Sequence, residues 1–295
     1  MSSLLLPASD LGELATPLLV FGGPYSNLEA TRALRRVADA LKIPPEQCLC
    51  TGDVVAYCAD PVDTVREIRD WGIPVVMGNC EESLAEGATD CGCGFTEGTV
   101  CDRLSQQWFN YASARIEEDD RRWMAGLPRR LLFSVNGLRV MVIHGGVRQI
   151  NRFLFASQSD ADFHEELAGV QADIILAGHC GIPFTRRIGS QLWHNAGVIG
   201  LPANDGSSDT WYSLIESAGL GQLRITYRHL KYDVATAANK MADAELTGGY
   251  NEALITGLWP SLDVLPEQEK RATGQPIRFA EVLWQAPVSL QHNLW

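Results

Sequence analysis

The sequence predicts an α/β fold built around a mostly parallel sheet, with short loops at the carboxyl ends of the strands. Three short apolar runs, at residues 17–22, 47–51 and 73–77, are typical of buried strands. Segments with helical spacing of apolar residues lie between them, at residues 28–42 and 61–71. This alternation is the pattern of consecutive βαβ units, in which the strands run parallel.

Capping residues and turns locate the ends of these elements. Ser26 and Glu29 form an S-x-x-E capping box, which predicts a helix from Leu28 to about Lys42. Pro61 suits the first turn of the second helix. The strands end in turns rich in glycine and polar residues, namely Gly22-Gly23-Pro24, Gly52-Asp53 and Gly78-Asn79-Cys80-Glu81.

The rest of the chain predicts a mixture of helices and strands. A stretch rich in glycine and cysteine, residues 86–101, lacks periodicity, and residues 102–127 have the spacing of two helices. Asn136-Gly137 between two apolar runs predicts a β-hairpin. The remaining predicted elements are helices at 158–169 and 234–245, and strands at 173–177, from Gln191 onward, at 210–216 and at 222–227.

We expect a single domain over residues 1–257. A Gly/Cys-rich and helical insertion interrupts it at about residues 82–128. Residues 258–295 form a C-terminal tail with three tryptophans, Trp259, Trp284 and Trp295, and we expect this tail to pack on the domain. The alternatives are that these tryptophans cover the crevice or form a dimer contact.

Composition and charge exclude several function classes. With 295 residues, 46% of them hydrophobic and 20% charged, the chain can bury a sizeable core. The 24 Lys and Arg against 36 Asp and Glu, a net charge of -12, disfavour binding to a nucleic-acid backbone. No apolar run is long enough to span a membrane and no secretory signal is present, so we expect a cytoplasmic protein. A small anionic substrate would need a local positive group such as a metal ion.

Four polar residues follow predicted strands at the point where each strand ends: Asp53, Asn79, His144 and His179. Strand ends converge on one crevice in an open α/β sheet, so we expect these side chains to lie together. A carboxylate, a carboxamide and two imidazoles suit a divalent ion such as Mn, Zn or Fe. Any one of them alone is more typical of a turn-former or a core histidine.

These residues stand in sequence blocks that resemble the calcineurin-like metallophosphoesterases, in particular their bacterial branch. The matching blocks are Gly52-Asp53, Gly78-Asn79-Cys80-Glu81, His144-Gly145 and Gly178-His179-Cys180-Gly181, followed by residues 195–202. The resemblance covers about residues 17–216. It implies a four-layer αββα sandwich of two mixed sheets and a two-metal site that hydrolyses phosphate mono- or diesters.

The chain departs from this family at the residues that would hold a first metal ion. The family's D-x-H block corresponds to Gly23 and Tyr25, and the last His of GHxH is Gly181. The resemblance implies that the second ion is held by the complete set of four, of which Asp53, Asn79 and His144 would also be catalytic. We therefore expect a degenerate active site that binds one ion rather than two, and a phosphohydrolase of weak or altered activity. The alternative is an inactive protein that binds a metal or a phosphorylated ligand.

Four further residues are candidates for contact with a small phosphorylated substrate. Tyr25 and Asn27 belong to a glycine-rich turn before a helix, which is either an anion cradle or an ordinary capped turn. Cys80 stands where many family members have a histidine that contacts phosphate. Arg148 can neutralise substrate charge or lie on the surface.

The cysteines of the insertion form a separate cluster, Cys91, Cys93 and Cys101. Their spacing is not that of a standard zinc or iron–sulfur site. We expect reduced thiols in a packed loop. A structural metal and a redox or sensing role are the alternatives.

Overall fold

The computed structural model describes residues 8–285, and within this range eleven β-strands form two mixed sheets. The six-stranded sheet has the order β1–β4–β5–β6–β8–β7 and the five-stranded sheet the order β11–β10–β9–β2–β3. The strands are β1 Ala8–Glu13, β2 Leu18–Phe21, β3 Cys48–Cys50, β4 Arg130–Val135, β5 Leu138–Val142, β6 Ile174–Ala177, β7 Phe184–Ile188, β8 Gln191–Asn195, β9 Thr210–Gly219, β10 Gln222–Leu230 and β11 Val282–Gln285.

Helices cover the outer face of both sheets. The nine α-helices of the described range are α1 Leu28–Leu41, α2 Pro61–Trp71, α3 Asn79–Glu86, α4 Val100–Ser113, α5 Glu118–Ala125, α6 Asp160–Leu167, α7 Val234–Asp243, α8 Tyr250–Thr256 and α9 Glu267–Arg271. No helix in residues 8–285 has the length and apolar character needed to cross a membrane.

The period-2 alternation of strand side chains builds the layers. In β2, Leu18 and Val20 pack between the two sheets, whereas Leu19 and Phe21 pack under the helices. Leu131 of β4 reaches the same inter-sheet core. Both faces of β2 are buried, which explains why this strand is a continuous apolar run in the sequence. The result is a four-layer αββα sandwich, as the sequence resemblance implied.

Three local features differ from the sequence predictions. Ser26 is not the cap of α1, because Asn27 accepts the capping hydrogen bond from Ala30 N at 3.1 Å. The third predicted strand, residues 73–77, is reduced to a single parallel bridge between Cys50 and Val75. Pro74 lacks the N–H that a longer ladder needs. Residues 79–86 form α3, where the sequence predicted only a turn.

The insertion and the tail both contact the sandwich. Trp108 of α4 is buried in the core beneath the helices of the five-stranded sheet. In the tail, Trp284 of β11 is 1% exposed and packs between the sheets, since β11 pairs with β10. The division into a domain at 1–257 and a tail stays a prediction, and Trp295 lies outside the described residues.

Candidate metal centre

The site lies where the carboxyl ends of strands from both sheets meet. Asp53 follows β3, and Asn79 is the first residue of α3. His144 follows β5, and His179 follows β6 in the other sheet. All four side chains are buried. The convergence predicted from their positions at strand ends is therefore present.

Three atoms that can bind a metal ion surround one nitrogen, Nε2 of His144. Asn79 Oδ1 and His179 Nδ1 each lie 3.0 Å from it, and Asp53 Oδ2 lies at 3.3 Å. Within the described residues, Asp53, His144 and His179 are the cluster of acidic, cysteine or histidine side chains whose ligand atoms lie within 4.8 Å of one another. The amide of Asn79 joins this cluster through its oxygen.

Neighbouring backbone groups set the orientation of two of these side chains. His144 Nδ1 lies 2.7 Å from the carbonyl oxygen of Thr51, which can only accept, so Nδ1 carries a proton. In a neutral ring, Nε2 then presents its lone pair to the site. Asn79 Nδ2 donates to Cys91 O at 2.9 Å, which turns Oδ1 toward the site. Such outer contacts are typical of metal-binding histidine and amide groups.

The donor set fits a divalent ion. Oxygens of Asp53 and Asn79 and one ring nitrogen from each histidine meet at one point, and one proton on either nitrogen cannot satisfy all of the remaining atoms. Buried acceptors without a donor are costly, and a cation removes that cost. Mixed oxygen and nitrogen ligands suit Mn, Zn or Fe.

The charged and polar groups of the cluster shift one another's pKa values. Burial opposes the charge of Asp53, but the adjacent His144 and His179 outweigh burial and lower the Asp53 pKa. Burial likewise opposes a charge on His144, while Asp53 holds the His144 pKa above its ordinary value. Burial and the neighbouring His144 lower the pKa of His179 to about 3, so this ring is neutral. A positive group at the centre of the cluster is thus favoured by its surroundings.

Two of the four residues have strained backbones. Asp53 and His179 adopt φ values of 55° and 63°, in the left-handed region that non-glycine residues rarely occupy. Each such conformation costs about 1–3 kcal/mol and is found mainly at functional sites. Asn195 stabilises the turn that carries His179, since its amide donates to Gly178 O at 2.8 Å.

Glu81 holds the Asp53 loop, and the sequence analysis assigned it no role of its own. Its Oε2 accepts from Asp53 N at 2.8 Å and from Gly78 N at 3.0 Å, and its Oε1 accepts from Val55 N at 3.1 Å. Burial and the negative charge of Asp53 raise the Glu81 pKa to about 7. The signal in the sequence for this role was an acidic residue two positions after Asn79, in the turn that follows a predicted strand.

The family model for the calcineurin-like phosphoesterase superfamily domain matches residues 26–216. The chain belongs to the calcineurin-like phosphoesterase superfamily. An uncharacterised protein of Methanocaldococcus jannaschii is 24% identical over 265 residues, covering 81% of this chain and 98% of that protein.

Solved structures of two similar proteins support the fold. A metallophosphoesterase from Sphaerobacter thermophilus has a TM-score of 0.64 and 18% identity, covering 83% of this chain and 100% of that one. A hypothetical protein from Pyrococcus horikoshii has a TM-score of 0.69 and 14% identity, covering 83% of this chain and 99% of that one. At these identities the likeness establishes the sandwich and not the reaction.

At two glycines, Gly23 and Gly181, an aromatic ring occupies the space that a side chain would need. A Cβ at Gly23 would lie 2.5 Å from Cζ of Tyr25, whose ring folds back over the glycine. A Cβ at Gly181 would lie 3.2 Å from Cζ2 of Trp259. These are positions where the sequence analysis noted missing metal ligands. The tail residue Trp259 was not among the predicted site residues, although a tail tryptophan covering the crevice was one of the alternatives.

The four predicted substrate residues differ in burial and in the contacts that their side chains make. Tyr25 is buried beside the site, and Cys80 donates its backbone N–H to Asp53 Oδ1 at 3.3 Å. Asn27 is the helix cap and its amide donates to Gly200 O at 3.0 Å, so its side chain is used within the fold. Arg148 is exposed and donates to Glu165 O at 3.0 Å. A substrate role for these residues stays a prediction.

The insertion cysteines do not form the three-thiol cluster considered above. Cys91 and Cys93 form a disulfide, which corrects the expectation of reduced thiols, while Cys101 is a buried free thiol. The disulfide is adjacent to the candidate centre, since Asn79 Nδ2 lies 3.3 Å from Cys93 Sγ. The loop therefore supports a ligand residue of the candidate centre.

Proposed function

We propose that the protein is a metal-dependent phosphohydrolase acting on small phosphate mono- or diesters with one divalent ion. Asp53, Asn79, His144 and His179 would hold the ion, which we infer to be Mn, Zn or Fe. The observation that carries the proposal is the meeting of Asp53 Oδ2, Asn79 Oδ1 and His179 Nδ1 around His144 Nε2. Membership of the superfamily supports the reaction class.

Some residues of the chain would bind the ion, and others hold those binding residues in position. A divalent ion bound there would supply Lewis-acid stabilisation of the phosphoryl charge and make water a better nucleophile at neutral pH. Asp53 contributes the negative ligand, and the Thr51 carbonyl keeps the Nε2 lone pair of His144 directed at the centre. The backbone hydrogen bonds to Glu81 hold Asp53 in its strained conformation.

Hydrolysis of p-nitrophenyl phosphate and bis-p-nitrophenyl phosphate with Mn, Zn or Fe tests the proposal. We expect turnover in the presence of at least one of these ions and its loss in Asp53→Asn. We also expect elemental analysis to show one ion per chain in the parent protein. Asp63→Asn is the control, because Asp63 is an exposed residue of α2. Equal rates in the parent protein and Asp53→Asn would overturn the proposal.

The second candidate is a protein that binds an ion and a phosphorylated ligand without hydrolysing it. It is favoured by the rings of Tyr25 and Trp259, which occupy the space of side chains at Gly23 and Gly181. A triple variant with Gly23→Asp, Tyr25→His and Gly181→His, combined with Trp259→Ala to clear the space, tests it. A second bound ion together with a large gain in hydrolysis would support this candidate, whereas a second ion with an unchanged rate would defeat it.

A further inference from the structure

A pocket with aromatic walls opens beside His179. The pocket and its opening to solvent together contain about 460 Å³ of space free of protein atoms. Among the described residues, no Asp, Glu, Lys or Arg lines it. Six aromatic side chains line it, namely Tyr25, Tyr57, Phe95, Phe153, Tyr250 and Trp259.

The rings come from distant segments and contact one another. Tyr57 packs edge-on against Tyr25 at a centroid distance of 4.8 Å, and its ring is tilted by 48° against that of Tyr250 at 4.5 Å. Phe153 lies 4.1 Å from the ring of His179 at an interplanar angle of 35°. The aromatic wall is thus continuous with the candidate metal centre.

Trp259 closes the pocket from the tail, and two hydrogen bonds hold it there. Its Nε1 donates to Pro202 O at 2.7 Å and its backbone N donates to Asn204 Oδ1 at 2.9 Å. The absence of a side chain at Gly181 leaves room for this ring. Because the indole N–H has a partner, the ring presents carbon atoms to the pocket.

The lining determines which part of a phosphate ester can enter. A phosphoryl group carries charge, which is costly to bury where no cationic side chain compensates it. The candidate metal centre next to the pocket supplies that compensation for the phosphoryl group. The organic group of the same molecule would then extend into the aromatic pocket, where offset or edge-to-face contacts favour a flat, uncharged ring.

We propose that this pocket binds the ring of an aryl or heteroaryl phosphate ester, which names a substrate class for the site. The inference rests on the proposed function, because the metal centre must hold the phosphoryl group. Aromatic walls also attract quaternary ammonium groups. A neutral ring is favoured because no carboxylate lines the pocket to balance a cation.

Calorimetric titration of the Mn-loaded protein with phosphonates tests the pocket separately from turnover, because their P–C bond is not a phosphate ester. We expect phenylphosphonate to bind about fivefold to tenfold more tightly than methylphosphonate, as expected for added aromatic contacts. Trp259→Leu and, separately, Phe95→Leu should remove this preference without changing methylphosphonate affinity. Trp123→Leu is the matched control, since Trp123 does not line the pocket.

The outcomes separate this inference from the proposed function. Equal affinity for the two phosphonates would overturn the pocket inference alone. Tighter binding of 2-(trimethylammonio)ethylphosphonate than of phenylphosphonate would replace the ring with a quaternary ammonium group. Failure of both phosphonates to bind the ion-loaded protein would overturn the pocket inference, while the turnover assay with Asp53→Asn decides the phosphohydrolase proposal separately. A preference for phenylphosphonate that both pocket variants retain would locate the ring elsewhere.

Discussion

Asn195→Leu tests whether one buried amide holds the turn that carries His179. Asn195 is 1% exposed, and its Nδ2 donates to Gly178 O at 2.8 Å and to Cys180 Sγ at 3.1 Å. Its Oδ1 accepts from Gly197 N at 2.9 Å. Leucine has a similar volume but no polar atom. The substitution therefore leaves the Gly197 N–H without its partner and removes one of two donors to the Gly178 carbonyl, which keeps its hydrogen bond from Cys180 N at 2.8 Å.

The size of the effect follows from these two backbone groups. A buried polar group that loses its partner costs about 1–3 kcal/mol. With one orphaned group and one weakened one, we expect a fall of about 2 kcal/mol in the free energy of unfolding and a drop of roughly 4–8 °C in melting temperature. The freed turn also lets His179 leave its left-handed conformation, so we expect the affinity for a divalent ion to fall about tenfold.

Denaturant unfolding and calorimetric titration with Mn measure the two effects independently. Asn110→Leu is the matched control, because it makes the same change at an exposed position of α4 and should alter neither quantity by much. Destabilisation with unchanged ion affinity would show that strain at His179 is not maintained by this amide. No change in either quantity would refute the argument from the buried hydrogen bonds.

Three further predictions concern packing and thiols. A Cβ at Gly178 would lie 2.3 Å from Thr51 Oγ1, so we expect Gly178→Ala to lower the free energy of unfolding by about 1–3 kcal/mol. Denaturant unfolding measures this change. Gly126→Ala is the control and should not destabilise the protein, because its Cβ would lie 3.4 Å from the nearest atom. Trp284→Ala should cost about 3–5 kcal/mol of unfolding free energy because the ring is buried between the sheets, whereas the exposed neighbour Leu283→Ala should cost little; equal effects would contradict the packing of β11. Alkylation of the unfolded, unreduced protein should modify six thiols, and eight after treatment with a dithiol; eight in both cases would exclude the disulfide.

The sequence was sufficient to predict that the side chains of the candidate centre lie together, because their positions depend on local rules. Asp53, His144 and His179 each follow an apolar run that ends in a glycine-containing turn, and strand ends in such sheets meet at one edge. Their order along the chain also matched a known family. The same local rules located most helices, although the choice between Ser26 and Asn27 as cap required the hydrogen bond itself.

Other parts of the site depend on contacts between distant segments and could not be predicted in this way. Trp259 reaches Gly181 from the tail, and its ring position depends on a hydrogen bond to Pro202. The strand expected at residues 73–77 was mostly lost, because strand pairing requires donors that Pro74 lacks. The disulfide between Cys91 and Cys93 likewise depended on loop geometry, for which the sequence showed no periodicity.

The two halves of the site are coupled by packing, and this supports the proposal of a single ion. A side chain at Gly23 alone would collide with the ring of Tyr25, and one at Gly181 would press on Trp259. A first-ion ligand therefore cannot be regained by one substitution while these rings stay in place. The tryptophan is tied to the Pro202 carbonyl, so moving it also breaks a hydrogen bond. Under the one-ion proposal, the rings that would exclude a first ion are the same rings that line the pocket, so the loss of one ion and the proposed surface for an organic group would have one structural cause.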